Sequence, residues 1–245
     1  TGGAGTGAGE VALLLLAVLA ILVALTAAGE SLRARVPPGR RIQGAEVFAA
    51  RVRGWWIMAV LFALSLLLGR TGVVLLFAFA SFAALREVAT YTAKAREDHA
   101  ALALAFFAVL PLQFLFVGLA LHDLFTLFIP VYVFLMLPVL AALRGQADRF
   151  LSRVAETQWA LMICVYCLSY VPALLTLGPA RGGDGVLLAA FLILTVQGAE
   201  VVEAALGRRL GRTPLAAGLS RRTWEGAAGG VLGAALLGAA LAWLT

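Results

Sequence analysis

Residues 100–143 read AALALAFFAVLPLQFLFVGLAL, then His122-Asp123, then LFTLFIPVYVFLMLPVLAAL. The two apolar stretches are 22 and 20 residues long, and Asp123 is the single formal charge between or within them. A helix rises about 1.5 Å per residue, so about 20 apolar residues cross a hydrocarbon core of about 30 Å. The stretch therefore reads as two membrane-spanning helices joined by a short polar turn.

The pattern repeats on both sides. Apolar runs occupy 11–28, 55–68, 71–85, 159–177, 186–206 and 227–244 as well, with the charged residues gathered between them. The chain is 62% hydrophobic and 13% charged, whereas a soluble domain is about half apolar and about a quarter charged. In lipid every backbone polar group must pair internally, which favours helices, and no alternating ten-residue segments of a β-barrel are visible. The fold class expected is all-α: a polytopic integral membrane helical bundle of about eight transmembrane helices, in one membrane domain spanning 1–245. The runs at 55–68 and 71–85 are short and separated only by Gly69-Arg70. They read as a tight helical hairpin or a broken, tilted pair.

Basic residues set the orientation. Four alternate loops hold Arg33, Arg35, Arg40, Arg41, Arg51 and Arg53; Arg86, Lys94 and Arg96; Arg144, Arg149 and Arg153; and Arg208, Arg209, Arg212, Arg221 and Arg222. That is 17 of the 19 basic residues, and only Arg70 and Arg181 fall on the other side. The basic loops are thus expected in the cytoplasm, both chain ends outside it, and the protein in a bacterial inner membrane. The net charge of +6 follows from this topology and from attraction to anionic lipid, which leaves no case for nucleic acid. The first run lacks a basic n-region and is not read as a signal peptide. A chain beginning at Thr1 behind a Gly-rich stretch is expected to be a fragment at its start.

Within the seventh run stand residues that lipid should not tolerate. Gln197, Glu200 and Glu203 recur every three positions and share one helix face. An acid at bilayer depth costs roughly 2.5–3.5 kcal/mol on insertion scales. The pair can bridge to neighbouring helices or to Arg208 and Arg209, or it can form a metal or proton site at the cytoplasmic mouth. The following residues favour metal and phosphate. Gly207-Arg-Arg-Leu-Gly211-Arg212 is followed by Leu219-Ser-Arg-Arg-Thr-Trp-Glu-Gly226. Carboxylates hold hard cations through oxygen, arginines bind phosphate in bidentate fashion, and glycines let phosphate approach backbone N–H groups. This set suits a phosphorylated lipid or a nucleotide.

The stretch from Gln197 through Arg212-Thr213 to Ser220-Arg-Arg-Thr-Trp-Glu-Gly-Ala-Ala-Gly-Gly230 resembles the phosphatidate cytidylyltransferase (CDP-diacylglycerol synthase) family. That family shows an Asp in a polar span, a Gly-x-x-x-Gly-Lys/Arg element seven residues later, and a Ser-Pro-Lys-Lys-Thr-x-Glu-Gly loop. Arg53-Gly-Trp-Trp, Ser81-Phe-Ala-Ala-Leu-Arg-Glu87 and the run from Gln158-Trp to Val165-Tyr-Cys-Leu-Ser169 resemble one branch of it. There are departures. Glu200 takes the Asp position, the loop has lost its proline and one residue, and the family's further C-terminal signature does not occur before Thr245. Either a longer natural chain or a homologue without those groups is expected.

The resemblance implies transfer of a cytidylyl group from CTP to phosphatidate, giving CDP-diacylglycerol and pyrophosphate with Mg2+. It implies Glu200, Arg221 and Arg222 as catalytic residues and Glu200 and Glu203 as metal ligands. Ser220, Thr223, Arg208, Arg209, Arg212 and Glu225 would contact substrate or order the loop, and Arg86 and Glu87 carry over from the family pattern. Partners implied are CTP, phosphatidate and membrane lipid. An inactive homologue that binds lipid or a partner, and a secondary transporter using Glu200 and Glu203, are the alternatives.

Other features read as structural. Cys164 and Cys167 lie in mid-span and suit packing. Small residues at four-residue spacing in 226–234 permit close helix packing, within the bundle or in a homodimer. Pro111, Pro130, Pro138 and Pro172 interrupt spans, as prolines commonly do in membrane helices.

Overall fold

The computed structural model describes residues 15, 16, 18–27, 29–31, 43–92, 98–143, 150–176, 185–216 and 222–242. Among these the chain is helical nearly throughout, with one isolated β-bridge between Pro214 and Thr223. Among the described residues seven helices are long and apolar enough to cross a membrane. They are α1 (Gln43–Leu67), α2 (Gly69–Thr92), α3 (98–118), α4 (122–143), α5 (150–174), α6 (Gly185–Leu210) and α7 (Trp224–Leu241). Of the first apolar run, residues 18–27 are helical. The protein is an all-α polytopic membrane protein, packed as two compact units, Thr1–Ala173 and Leu174–Thr245.

In the first unit, α1 and α2 are longer than their apolar runs. The helices continue through Arg51 and Arg53 at one end and Arg86 and Glu87 at the other. Charges stop an apolar run but not a helix, because Arg and Glu are good helix formers. The spans within them, Phe48–Leu67 and Gly69–Tyr91, are 20 and 23 residues, enough for the hydrocarbon core. Between them the helix breaks at Leu68. Gly69 takes φ 66°, where a side chain would be strained. A Cβ at Gly72 would run into Ser65 O and stand 2.6 Å from Leu68 Cβ.

Arg70 closes a neighbouring helix end. Its Nη2 donates to Val117 O at 2.8 Å and Gly118 O at 3.0 Å, two carbonyls in the last turn of α3, where a helix end leaves acceptors to satisfy; Val117 O also accepts from Ala120 N at 3.1 Å. The turn beyond is completed by Ala120 at φ 58° and by Leu121 N donating to Phe116 O at 2.9 Å.

The helices α3, α4 and α5 each contain a π-helical turn, at Ala105–Val109, Phe128–Val133 and Met162–Cys167. Helical structure passes through Pro111, Pro130, Pro138 and Pro172. Pro138 brings no N–H to Phe134 O, and Gln158 Nε2 donates to that oxygen at 2.8 Å. Pro130 likewise brings none to Thr126 O, which accepts from Tyr166 Oη at 3.1 Å. Side chains of α5 thus supply donors that α4 lacks. Gln113, fully buried, donates to Phe125 O and Ser169 Oγ, each at 3.0 Å. Leu85, Val109, Val117, Ile129, Val133, Leu161 and Val165 belong to one buried apolar core in this unit. Cys164 is buried, Cys167 is exposed, and both are free thiols.

The second unit holds α6 and α7. They run antiparallel: a Cβ at Gly226 would stand 3.0 Å from Gly207 Cα, one at Gly230 3.0 Å from Glu203 Cβ, and one at Gly238 3.8 Å from Phe191. Gly226, Gly229, Gly230 and Gly233 are all buried on α6. Lipid tails are as apolar as the helices, so close van der Waals contact between small residues drives such association.

Candidate active site

The polar stripe of α6 ends where α6 meets the loop to α7. Glu200 is exposed, and Glu203, one turn on, is partly buried. A glycine at 230 lets the Glu203 side chain leave α6 at the helix crossing. Arg208 and Arg209 occupy the last turn of α6, both exposed, where cations oppose the negative end of the helix dipole.

Gly207 and Gly211 serve packing. A Cβ at Gly211 would collide with Gly207 O and stand 2.6 Å from Thr223 Oγ1. The Gly211 N–H itself donates to Gly207 O at 3.1 Å. These glycines let the loop's two ends and the start of α7 press together, and the Gly211 N–H is turned inward onto the chain.

The loop returns through a small antiparallel bridge. Leu215 N donates to Arg222 O at 2.8 Å, and Trp224 N to Thr213 O at 3.0 Å. Thr223 then caps α7: its Oγ1 accepts from Gly226 N at 3.2 Å, satisfying one N–H that a helix start leaves unpaired. Glu225, in the first turn of α7, reaches back to the loop's beginning. Its carboxylate accepts from Thr213 Oγ1 at 2.7 Å, from Thr213 N at 3.2 Å and from Arg212 N at 3.2 Å. Thr223 and Glu225 therefore act on the chain's own backbone in this structure. Arg222 Nη1 lies 3.3 Å from Glu203 Oε1 and 3.4 Å from Oε2. The Arg222 side chain is 62% exposed and that of Glu203 20%.

The structure brings together Glu203, Arg222, Thr223, Glu225 and the backbone of Arg212. Ser220 and Arg221 lie outside the described residues. Arg86 and Glu87 are exposed on α2 of the first unit, and Glu87 O accepts from Thr90 Oγ1 at 2.6 Å. Among the described residues no three His, Cys, Asp or Glu side chains gather in one place. Thr213 was not singled out in sequence, and its role has no periodicity to reveal it. Gly230 belongs to the four-residue spacing of small residues that reads as close helix packing, and the structure supplies its neighbour, Glu203 on α6.

Comparison with known proteins places the chain. An uncharacterised protein of Escherichia coli, YnbB, is 29% identical over 216 residues, covering 88% of this chain and 69% of the relative. No solved structure matches the chain. The cytidylyltransferase family model matches residues 49–245. The match takes in α6, α7 and the whole loop between them, and the chain belongs to the cytidylyltransferase family.

Proposed function

We propose that the protein transfers the cytidylyl group of CTP to phosphatidate, releasing pyrophosphate and leaving CDP-diacylglycerol in the membrane. Membership of the cytidylyltransferase family supports nucleotidyl transfer. The observation that carries the lipid part is the position of the charged residues. Glu200, Glu203, Arg208, Arg209, Arg212 and Arg222 gather at one end of two long apolar helices, where a lipid phosphate meets water.

The phosphatidate phosphate is ionised at neutral pH and needs no strong base. One of its oxygens forms a bond to the α-phosphorus of CTP, the bond from that phosphorus to the bridging α–β oxygen breaks, and pyrophosphate leaves with the electron pair. The obstacle is repulsion between anions. Arginine guanidiniums lower it by holding phosphate oxygens in the geometry of attack. Arg222 stands where the loop returns, its carbonyl held by Leu215 N, while Arg208, Arg209 and Arg212 are exposed and draw the nucleotide toward it. Glu225 keeps the loop closed by holding Arg212 and Thr213.

The donor set fits Mg2+ of the kind completed by substrate: two carboxylates one turn apart, with phosphate oxygens and water filling the remaining positions. Glu200 and Glu203 would hold it, and when bound it neutralises phosphate charge. The basic-loop pattern supports placing this site on the cytoplasmic side.

The test is incorporation of labelled CTP into chloroform-extractable lipid by purified protein given phosphatidate and Mg2+. We expect label in lipid that disappears with EDTA or without phosphatidate. Absence of lipid label from folded protein would overturn the reading.

A further inference from the structure

Arg222 and Glu203 hold each other, yet in the proposed reaction they serve different ligands. The arginine is to meet phosphate and the carboxylate a cation. Both cannot happen while Nη1 sits within 3.3 and 3.4 Å of the two carboxylate oxygens. The two partners also differ in exposure. Glu203 is 20% exposed and seated across Gly230. Arg222 is the more accessible half, 62% exposed, within reach of a phosphate arriving from water. Its backbone is held by the Leu215–Arg222 bond beside the cap at Thr223.

We infer that the Glu203–Arg222 ion pair couples nucleotide and metal binding: phosphate draws Arg222 away, and the carboxylate so released accepts the divalent cation that accompanies the phosphate. This rests on the phosphate-and-cation reading of the site. Charge stays balanced through the exchange. Before it, guanidinium faces carboxylate; after it, guanidinium faces phosphate and carboxylate faces cation. No covalent bond changes. A pair this exposed contributes about 1.5- to 5-fold to an equilibrium constant. By linkage each ligand should strengthen the other to the same degree. The pair would also keep a lone cation from settling on Glu203 between turnovers.

The experiment measures Mn2+ affinity by electron paramagnetic resonance on purified protein, with and without α,β-methylene-CTP. Wild type, Arg222→Gln, Glu203→Gln and the double variant form a cycle. Without nucleotide, Arg222→Gln should bind Mn2+ about 2- to 5-fold more tightly than wild type, and this gain should vanish in the Glu203→Gln background. The analogue should tighten Mn2+ binding to wild type, and less so to Arg222→Gln. Arg222→Lys, which keeps the charge, should lie between wild type and Arg222→Gln. An equal gain in both backgrounds would mean simple loss of a positive charge and would overturn the coupling, as would no gain at all. Tight mutual binding of Mn2+ and analogue with a flat cycle would overturn the coupling alone. No Mn2+ binding by any form, even with the analogue, would overturn the proposed function as well.

Discussion

Glu200 and Glu203 are the same residue type one helical turn apart, and their surroundings separate them. Glu203 is flanked by Gly230 and faces Arg222, while Glu200 is exposed further from the loop. Their spacing with Gln197 was legible in the sequence, because a three-residue interval puts side chains on one face. The pairing with Arg222 was not, since 19 positions separate the two in the chain. Glu225 makes the same point: its carboxylate turns back to Thr213, 12 residues earlier. Under the proposed reaction, Glu200→Gln keeps the shape and removes the charge that would meet the cation. Turnover should fall by about 100-fold or more, beyond the 10- to 100-fold felt when even an outer-shell partner is lost, with the thermal melt unchanged. A kcat close to wild type would remove Glu200 from the site.

At the scale of the element, the glycines change meaning. Gly207 and Gly211 read in sequence as places where phosphate approaches the backbone. In the structure they admit Thr223 and Gly226, and Gly226, Gly229, Gly230 and Gly233 admit α6. A Gly-x-x-x-Gly pattern is the same string whether a ligand or a helix fills the space, so the string could not decide. Gly230→Ala should push a methyl against Glu203 Cβ and destabilise the α6–α7 hairpin by about 1–3 kcal/mol, read as a lower Tm in detergent. Gly54→Ala is the contrast. Nothing lies within 4 Å of a Cβ there, and an alanine in a helix interior gains about 0.5–1 kcal/mol over glycine, so Tm should hold or rise. The prolines were visible in sequence as interruptions. That Gln158 and Tyr166 would donate to the carbonyls of Phe134 and Thr126 depends on how α4 and α5 pack.

For the whole molecule, the segregation of basic residues predicts which ends of the helices face the cytoplasm. With Cys164 and Cys167 replaced by alanine, Tyr91→Cys at the end of α2 should react with an impermeant maleimide only in inside-out vesicles. Leu121→Cys, in the turn between α3 and α4, should react only in right-side-out ones. Both native residues are exposed. The opposite labelling would invert the topology and put the candidate site on the wrong side for CTP.

The sequence by itself determined that this is a helical membrane protein and which charged residues follow the apolar part of α6. These are properties of local composition: lipid demands internally paired backbone, and apolar length sets the span. Only the tertiary structure decided which charged groups meet. Arg222 with Glu203, Glu225 with Thr213 and Gly230 beside Glu203 are contacts across a loop and a helix crossing. They depend on how closely α6 and α7 approach, and that approach is set by packing between side chains, which no local pattern encodes.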